Sequence, residues 1–403
     1  MALDTVLRSI TDYLNRSEPI KSGLLLSGGG ARAAYQAGVL RYIADAFPGT
    51  EFPILTGVSA GAINAAHLAT GEGGFAETTE RLVSSWNKIS PDQVYSTTSN
   101  LSFLRHYLLR RGGQDGEGIH RALLDTDPLR QYLIETVGDA EGNLSGIDER
   151  IRGGLLDAVA VVATNYATGQ TVTWVHGGDI PHWERPMRVG VNTRLGVEHI
   201  MASTSLPVIF PAINIGETYF GDGGIRLSAP LAPVVHLGAN RILAISTRYS
   251  RSQVEADTPT ISGYPQLGQI ASLLMNSVFL DALDQDAHTM DRINALLDQL
   301  PARKRLGLRQ IELLVLRPSI DLGKLAGEFE PLIRGPLKLI SRILGGSSIS
   351  PDWLSMLLFE EGFISRLIDT GYKDGRDQRD RIAKFLDRST EDDARVEASR
   401  LTG

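Results

Sequence analysis

The chain has 403 residues, 42% of them hydrophobic and 22% charged, with a formal net charge of -7. That composition belongs to a globular protein long enough for one large core plus a cap or small second domain, and it excludes wholesale disorder. The lack of cysteine excludes disulfides, thiolate catalysis and thiolate metal sites, and the acidic balance gives no general attraction to nucleic acid or to anionic lipid.

Residues 1–20 carry Leu3, Val6, Leu7, Ile10 and Leu14 at helical spacing but lack the continuous apolar core of a signal peptide. The expectation is an amphipathic helix packed on the domain. No run of about 18 apolar residues is present to span a bilayer, so a cytoplasmic protein with at most peripheral membrane contact is expected. Short apolar runs at Gly23–Ser27, Phe52–Thr56, Ala158–Thr164, Thr171–Val175, Arg241–Ser246 and Ile311–Leu316 read as buried strands, with helical patterns between several of them. Such alternation predicts an α/β sheet with helices on both faces.

Residues 21–250 form the expected core unit. Within it, residues 90–129 are polar and rich in turn formers, with Gly112, Gly113, Gly116 and Gly118 close together; they read either as a lid or as a surface excursion holding a helix at Leu101–Arg110. Residues 251–373 read as a helical region with a late core strand near 311–316, and a long helix is expected over Gln266–Leu300. The apolar stretch from Leu322 to Leu344, broken by Pro331 and Pro336, suits either intramolecular packing or contact with lipid or a second copy of the chain. Residues 374–403 read as a charged helix and tail.

Chemistry enters at Gly57-Val58-Ser59-Ala60-Gly61, directly after an apolar run. In the G-x-S-x-G elbow, small flanking residues let a strand turn sharply into a helix and push the serine hydroxyl out at the turn. Glycine and serine are common enough that the pentapeptide alone decides nothing. Upstream, the run Ser27-Gly28-Gly29-Gly30 leads from a strand into a helix, which offers unpaired N–H groups to negative charge. Such a loop cradles a phosphate or forms an oxyanion hole. No Lys-Ser/Thr pair follows the glycines, which weakens the nucleotide alternative.

A nucleophilic serine needs a base. None of the eight histidines, His67, His106, His120, His176, His182, His199, His236 and His288, sits in a glycine-rich turn after a late strand. His236 reads as a structural residue near a helix end. Asp222, at the end of strand-like residues and followed by Gly223 and Gly224, is the better candidate, the alternative being a tight Asp-Gly hairpin turn.

Taken in order, GGGARAAYQAG, GVSAG and DGG, with MASTSLPVIFP shortly before the last, resemble the patatin-like phospholipases, lipid acyl hydrolases with a serine and aspartate dyad and no catalytic histidine. The likeness covers most of residues 20–248 and extends in part to LLFEEGFISRLIDTGY, residues 357–372. It implies a mostly parallel, three-layer sheet with a helical C-terminal extension. It also implies Ser59 as nucleophile, Asp222 as base and the amides of Gly28, Gly29 and Gly30 as oxyanion hole. Gly57, Gly61, Gly223 and Gly224 support that site, and Arg32 either fixes the loop or meets a phosphate. The implied partner is a lipid or acyl ester, without cofactor or metal. Thioesterase, acyltransferase and non-catalytic lipid binding stay open as alternatives. Ala33 departs from the further glycine many members carry there, which suggests a narrower approach to the loop. An ordinary aspartate, with a pKa of about 3.9, is a weak base toward an alcohol, so the dyad is expected in an apolar pocket. Leu206, Val208, Ile209 and Phe210 are candidates for its wall, or else plain core.

Overall fold

The computed structural model describes residues 21–97, 122–178, 183–258, 282–332 and 351–387, together with 264, 270 and 273. The N-terminal helix expected over 1–20, the helix at 101–110, the first part of the one expected from 266, and residues 388–403 lie outside these, apart from 270 and 273.

The strands are β1 (Ser22–Leu26), β2 (Ile54–Val58), β3 (Ser96–Thr97), β4 (Leu124–Asp125), β5 (Ala158–Asn165) and β6 (Thr171–His176). They continue with β7 (Glu184–Arg185), β8 (Arg188–Asn192), β9 (Ile213–Ile215), β10 (Thr218–Asp222), β11 (Arg241–Ile245) and β12 (Glu312–Leu316). The main sheet runs β12-β11-β1-β2-β5-β6-β8-β7, with β10 on β5 and β9 on β10. It is parallel from β12 through β5 and mixed beyond, because β5 pairs antiparallel with β6 and with β10. Every strand predicted from an apolar run is present.

Buried on both faces, the central strands are near-continuous apolar runs, SGLLL in β1 and AVAVVATN in β5. Alternate side chains serve two cores. Leu24, Leu26, Leu55, Val159 and Val161 belong to the larger one, whereas Leu25, Ile54, Ala158 and Ala160 belong to the smaller. The larger face is covered by α1 (Ala34–Ala46), α2 (Ala60–Thr70) and α3 (Phe75–Lys88). Next in the chain come α4 (Asp127–Thr136), α5 (Gly146–Arg152) and α6 (Val197–Thr204). The smaller face is covered by α7 (Ala232–His236) and α8 (Ala282–Asp298). Helices on both faces make the three layers expected.

The C-terminal extension is helical: α9 (Leu322–Gly327), α10 (Pro351–Leu357), α11 (Glu361–Asp377) and α12 (Arg379–Leu386). Phe363, Ile364, Leu367, Ile368 and Gly371 form the buried stripe of α11 at helical spacing. Fully burying a side chain such as Phe363 contributes about 2 to 3 kcal/mol. On this stripe α11 crosses α1 at backbone contact. A Cβ on Gly38 would lie 2.0 Å from the Ile368 carbonyl oxygen, and one on Gly371 would lie 2.1 Å from that of Tyr35. Leu325 is buried and Phe329 packs against the same core, so the described part of the 322–344 stretch takes the intramolecular alternative. The boundary drawn at residue 373 falls inside α11, where Asp374 is buried. Residues 98–121 of the 90–129 segment lie outside the described ones, and its ends are tied by the antiparallel pair β3 and β4. Among the described residues no helix is long and apolar enough to cross a membrane.

Candidate active site

Sheet register brings the site together. Along one edge of β5, β2 runs parallel and ends with Val58 opposite Val162. On the same edge β10 arrives antiparallel and ends with Asp222 opposite Ala163. The two strands share one lane and meet tip to tip, so Ser59, the residue after β2, faces Asp222.

Ser59 caps α2 with φ 55° and ψ -133°, a conformation strained for any residue with a Cβ. Its amide donates to Ser203 Oγ at 3.0 Å, and Ser203 Oγ donates to the Val162 carbonyl at 2.6 Å. Glycine is required on both sides of the elbow. A Cβ on Gly57 would lie 2.5 Å from Ala62 Cα, and one on Gly61 would lie 2.2 Å from the Leu26 carbonyl oxygen.

Asp222 is fully buried, with an ordinary backbone at φ -50° and ψ 132°. Its amide donates to the Ser205 carbonyl at 2.9 Å, its own carbonyl accepts from Thr164 Oγ1 at 2.9 Å, and Oδ1 accepts from the Gly224 amide at 2.8 Å. A short 3-10 turn at Gly223–Ile225 follows, not a hairpin. Gly223 is forced, because a Cβ there would lie 2.2 Å from the Val162 carbonyl oxygen. Burial pushes the Asp222 carboxyl up to about 7, against the opposing pull of the Ser59 hydroxyl and the Gly224 amide. Although the serine is near enough to exert that pull, Oδ2 has no hydrogen bond of full geometry. Loose contacts of this kind tighten when substrate binds.

The glycine loop lies against the serine: a Cβ on Gly28 would sit 3.0 Å from Ser59 Cβ. The amides of Gly28, Gly29 and Gly30 donate to no acceptor among the described residues. Gly29 and Gly30 have φ 150° and 57°, the region that favours glycine. Thr247 Oγ1 holds the Gly28 carbonyl at 2.5 Å.

Arg32 turns away from the reacting groups. Its side chain is 4% exposed, with Nε on Ser355 Oγ at 2.7 Å and a terminal nitrogen on Asp352 Oδ1 at 2.8 Å. Of its two expected roles the geometry takes the first, a clamp between the loop and α10. Ala33 is fully buried in the larger core.

A cleft with about 580 Å³ of empty space, part of it open to solvent, is lined by Ser59 and Gly30. Ile63, Trp86, Leu206, Phe210 and Met356 are among its walls. Leu206 and Phe210 thus take the expected place, whereas Ile209 is core and Val208 is 67% exposed with φ 69°. Val208 is a correction: its carbonyl accepts the Leu123 amide at 3.0 Å, which commits the left-handed turn to a backbone bridge and throws the side chain outward. A second cleft of about 490 Å³ lies on the Asp222 side, lined by Ser27, Gly28, Asp222 and Leu227.

Residue patterns missed the supports. Gln36 Nε2 donates to the Ser27 and Ile245 carbonyls at 2.8 and 3.1 Å. Asn64 joins it, donating to Gln36 Oε1 at 2.8 Å and accepting from Trp86 Nε1 at 2.7 Å. The available signal was a lone amide on each apolar helix face, Gln36 in AAYQAG and Asn64 in GAINAA. Ser203 and Ser205 stood in plain sight in MASTSLP. His236 is remote in role, exposed and stacked on Trp183 at 4.7 Å.

No curated protein sequence matches the chain. Among solved structures, VipD from Legionella pneumophila is similar at 13% identity over 92% of this chain and 67% of its own, with a TM-score of 0.40. Human GIVD cytosolic phospholipase A2 is similar at 14% identity over 91% of this chain, which spans 60% of that protein, with a TM-score of 0.46. ExoU, in its complex with SpcU from Pseudomonas aeruginosa, follows at 17% identity, 84% and 74% coverage and a TM-score of 0.24. The family model described as patatin-like phospholipase matches residues 24–235. With more than half of its length matched, the chain belongs to the patatin-like phospholipase family of lipid hydrolases.

Proposed function

We propose that the protein is a lipid acyl hydrolase that forms an acyl-enzyme on Ser59. The observation that carries this reading is the tip-to-tip meeting of β2 and β10, with the serine beside a buried aspartate, next to glycine amides that have no acceptor among the described residues, and lining an apolar cleft. Ser59 Oγ attacks the ester carbonyl carbon while its proton passes to Asp222 Oδ2. The amides of Gly28, Gly29 and Gly30 hold the resulting oxyanion. Collapse breaks the ester bond, and the leaving alkoxide takes the proton back from Asp222. Water then attacks the acyl-serine, giving its proton to Asp222, which returns it to Ser59 Oγ as the fatty acid leaves.

The raised pKa of Asp222 suits this cycle, since a base near 7 accepts and returns a proton with small driving-force penalties at neutral pH. The test is hydrolysis of a panel from short chromogenic esters through lysophospholipid to diacyl phospholipid vesicles. Wild-type protein is expected to release fatty acid, and Ser59→Ala to lose about 10⁴-fold or more in kcat/KM. Equal rates in the two proteins would refute the reading. Transfer of the acyl group to an acceptor alcohol instead of water would make the enzyme an acyltransferase.

A further inference from the structure

The cleft beside Ser59 contains a polar group that hydrolysis does not use. Ser59, the residue that caps α2, and Ile63 and His67 within it follow one another at four-residue intervals, and all three line the cleft. A rise of about 1.5 Å per residue separates Ser59 from His67 by about 12 Å, the length of roughly eight to ten carbons of an extended chain. Neighbouring walls are apolar, with Ile89, Leu129 and Phe359 among them.

His67 is 6% exposed, and no described residue bonds or pairs with its ring. Burial pushes its pKa down to about 4, so the ring is neutral at physiological pH and presents one N–H donor and one bare nitrogen. Three other polar groups on the wall are already committed: the Tyr132 hydroxyl donates to the Ser85 carbonyl at 3.0 Å, the Thr204 hydroxyl to that of Ile200 at 3.1 Å and Trp86 Nε1 to Asn64 Oδ1 at 2.7 Å; Ser85 lines the same wall. The ring nitrogens are not among the fully buried atoms without a partner, so they reach solvent through the cleft, and a ligand that fills the cleft without a hydrogen bond strips that solvent at a cost that a leucine would not incur.

We propose that His67 determines specificity by selecting an acyl chain with a hydrogen-bonding oxygen, such as a hydroxyl, about eight to ten carbons from the ester carbonyl. The inference rests on the acyl-enzyme reading of Ser59. An oxygenated chain satisfies the ring and its own hydroxyl at once. A plain chain leaves the ring unpaired, and an oxygenated chain facing leucine would bury its hydroxyl without a partner, so both penalties favour the same match.

The experiment compares nitrophenyl esters of decanoic acid and of its ω-hydroxy derivative on wild-type, His67→Leu and His67→Gln proteins. In the wild type the hydroxy ester is expected to be favoured about tenfold in kcat/KM. His67→Leu should abolish or invert that ratio, and His67→Gln, which keeps hydrogen-bonding groups, should retain part of it. A wild-type ratio of one or less, or an unchanged ratio in His67→Leu, overturns the inference while leaving the hydrolase standing. The wild-type ratio and His67→Gln decide the matter if His67→Leu does not fold. Absence of Ser59-dependent turnover of either ester would take down the hydrolase reading, and this one with it.

Discussion

The tips of β2 and β10 carry the two residues of the proposed dyad and are built in opposite ways. At the β2 tip the backbone is strained, with Ser59 at φ 55°, and glycines on either side make the turn sterically feasible. At the β10 tip the backbone is relaxed and the cost is electrostatic, a carboxyl sealed from water with its pKa raised to about 7. Strain of the first kind costs about 1 to 3 kcal/mol and does not vary with pH. The second cost is switched on by deprotonation. A nucleophile needs a fixed direction, whereas a base needs a tuned affinity for a proton, and the proposed mechanism asks the first of Ser59 and the second of Asp222.

Asp222→Asn separates the two most sharply. Activity should fall by about 10³-fold, within the usual range for removing a general base. Stability should move the other way. Because the folded pKa is raised above the ordinary 3.8, the stabilisation by protonation is complete below about 3.8 and is lost as pH rises through about 7. The asparagine protein escapes that loss, so at pH ~8 it should be more stable than wild type by up to about 4 kcal/mol, and near pH ~3.5 the gap should close. Urea melts at both pH values check this. In wild type the same group should give kcat/KM an acid limb with a midpoint near 7; a rate flat from pH ~5 to ~8 would mean that the carboxyl is not tuned by burial.

Gly61→Ala tests the strained tip. Its Cβ would meet the backbone oxygens of Leu26 and Ser27 at 2.2 and 2.6 Å, neither free to yield, so a loss of about 3 kcal/mol is expected at every pH. A loss that varied with pH would blur the contrast. Ser203→Ala leaves the Ser59 amide without its acceptor, which should cost about 1 to 3 kcal/mol and slow kcat about tenfold. The smallest effect belongs to His236→Ala, with kcat/KM expected within about twofold of wild type. A folded but inactive His236→Ala protein would replace the dyad with a triad.

Much of this was legible in the sequence. Each apolar run became a strand because a buried parallel sheet writes itself as continuous Leu, Val and Ile. The elbow at Ser59, the strand end at Asp222 and the glycine loop were legible as local shapes because elbows and close approaches tolerate few residues. The lane shared by β2 and β10 was not, since it rests on the three pairings Phe220↔Asn165, Gly221↔Thr164 and Asp222↔Ala163 between segments more than 50 residues apart. Val208 misled because a valine in an apolar run looks like wall until a left-handed φ turns it out. The Arg32 clamp was equally hidden, as Asp352 and Ser355 lie more than 300 positions away.

The backbone contact between α1 and α11 sets how far this protein can be shortened. Gly38 and Gly371 allow the two helices to touch, and the Met356 carbonyl presses on Gly30, where a Cβ would lie 2.1 Å from it. A fragment ending at residue 235, where the family match stops, would forfeit β11 and β12 from the sheet, Met356 and Phe359 from the cleft and the clamp on Arg32. It would keep the GGG, GVSAG and DGG motifs and lose the means of holding them in place.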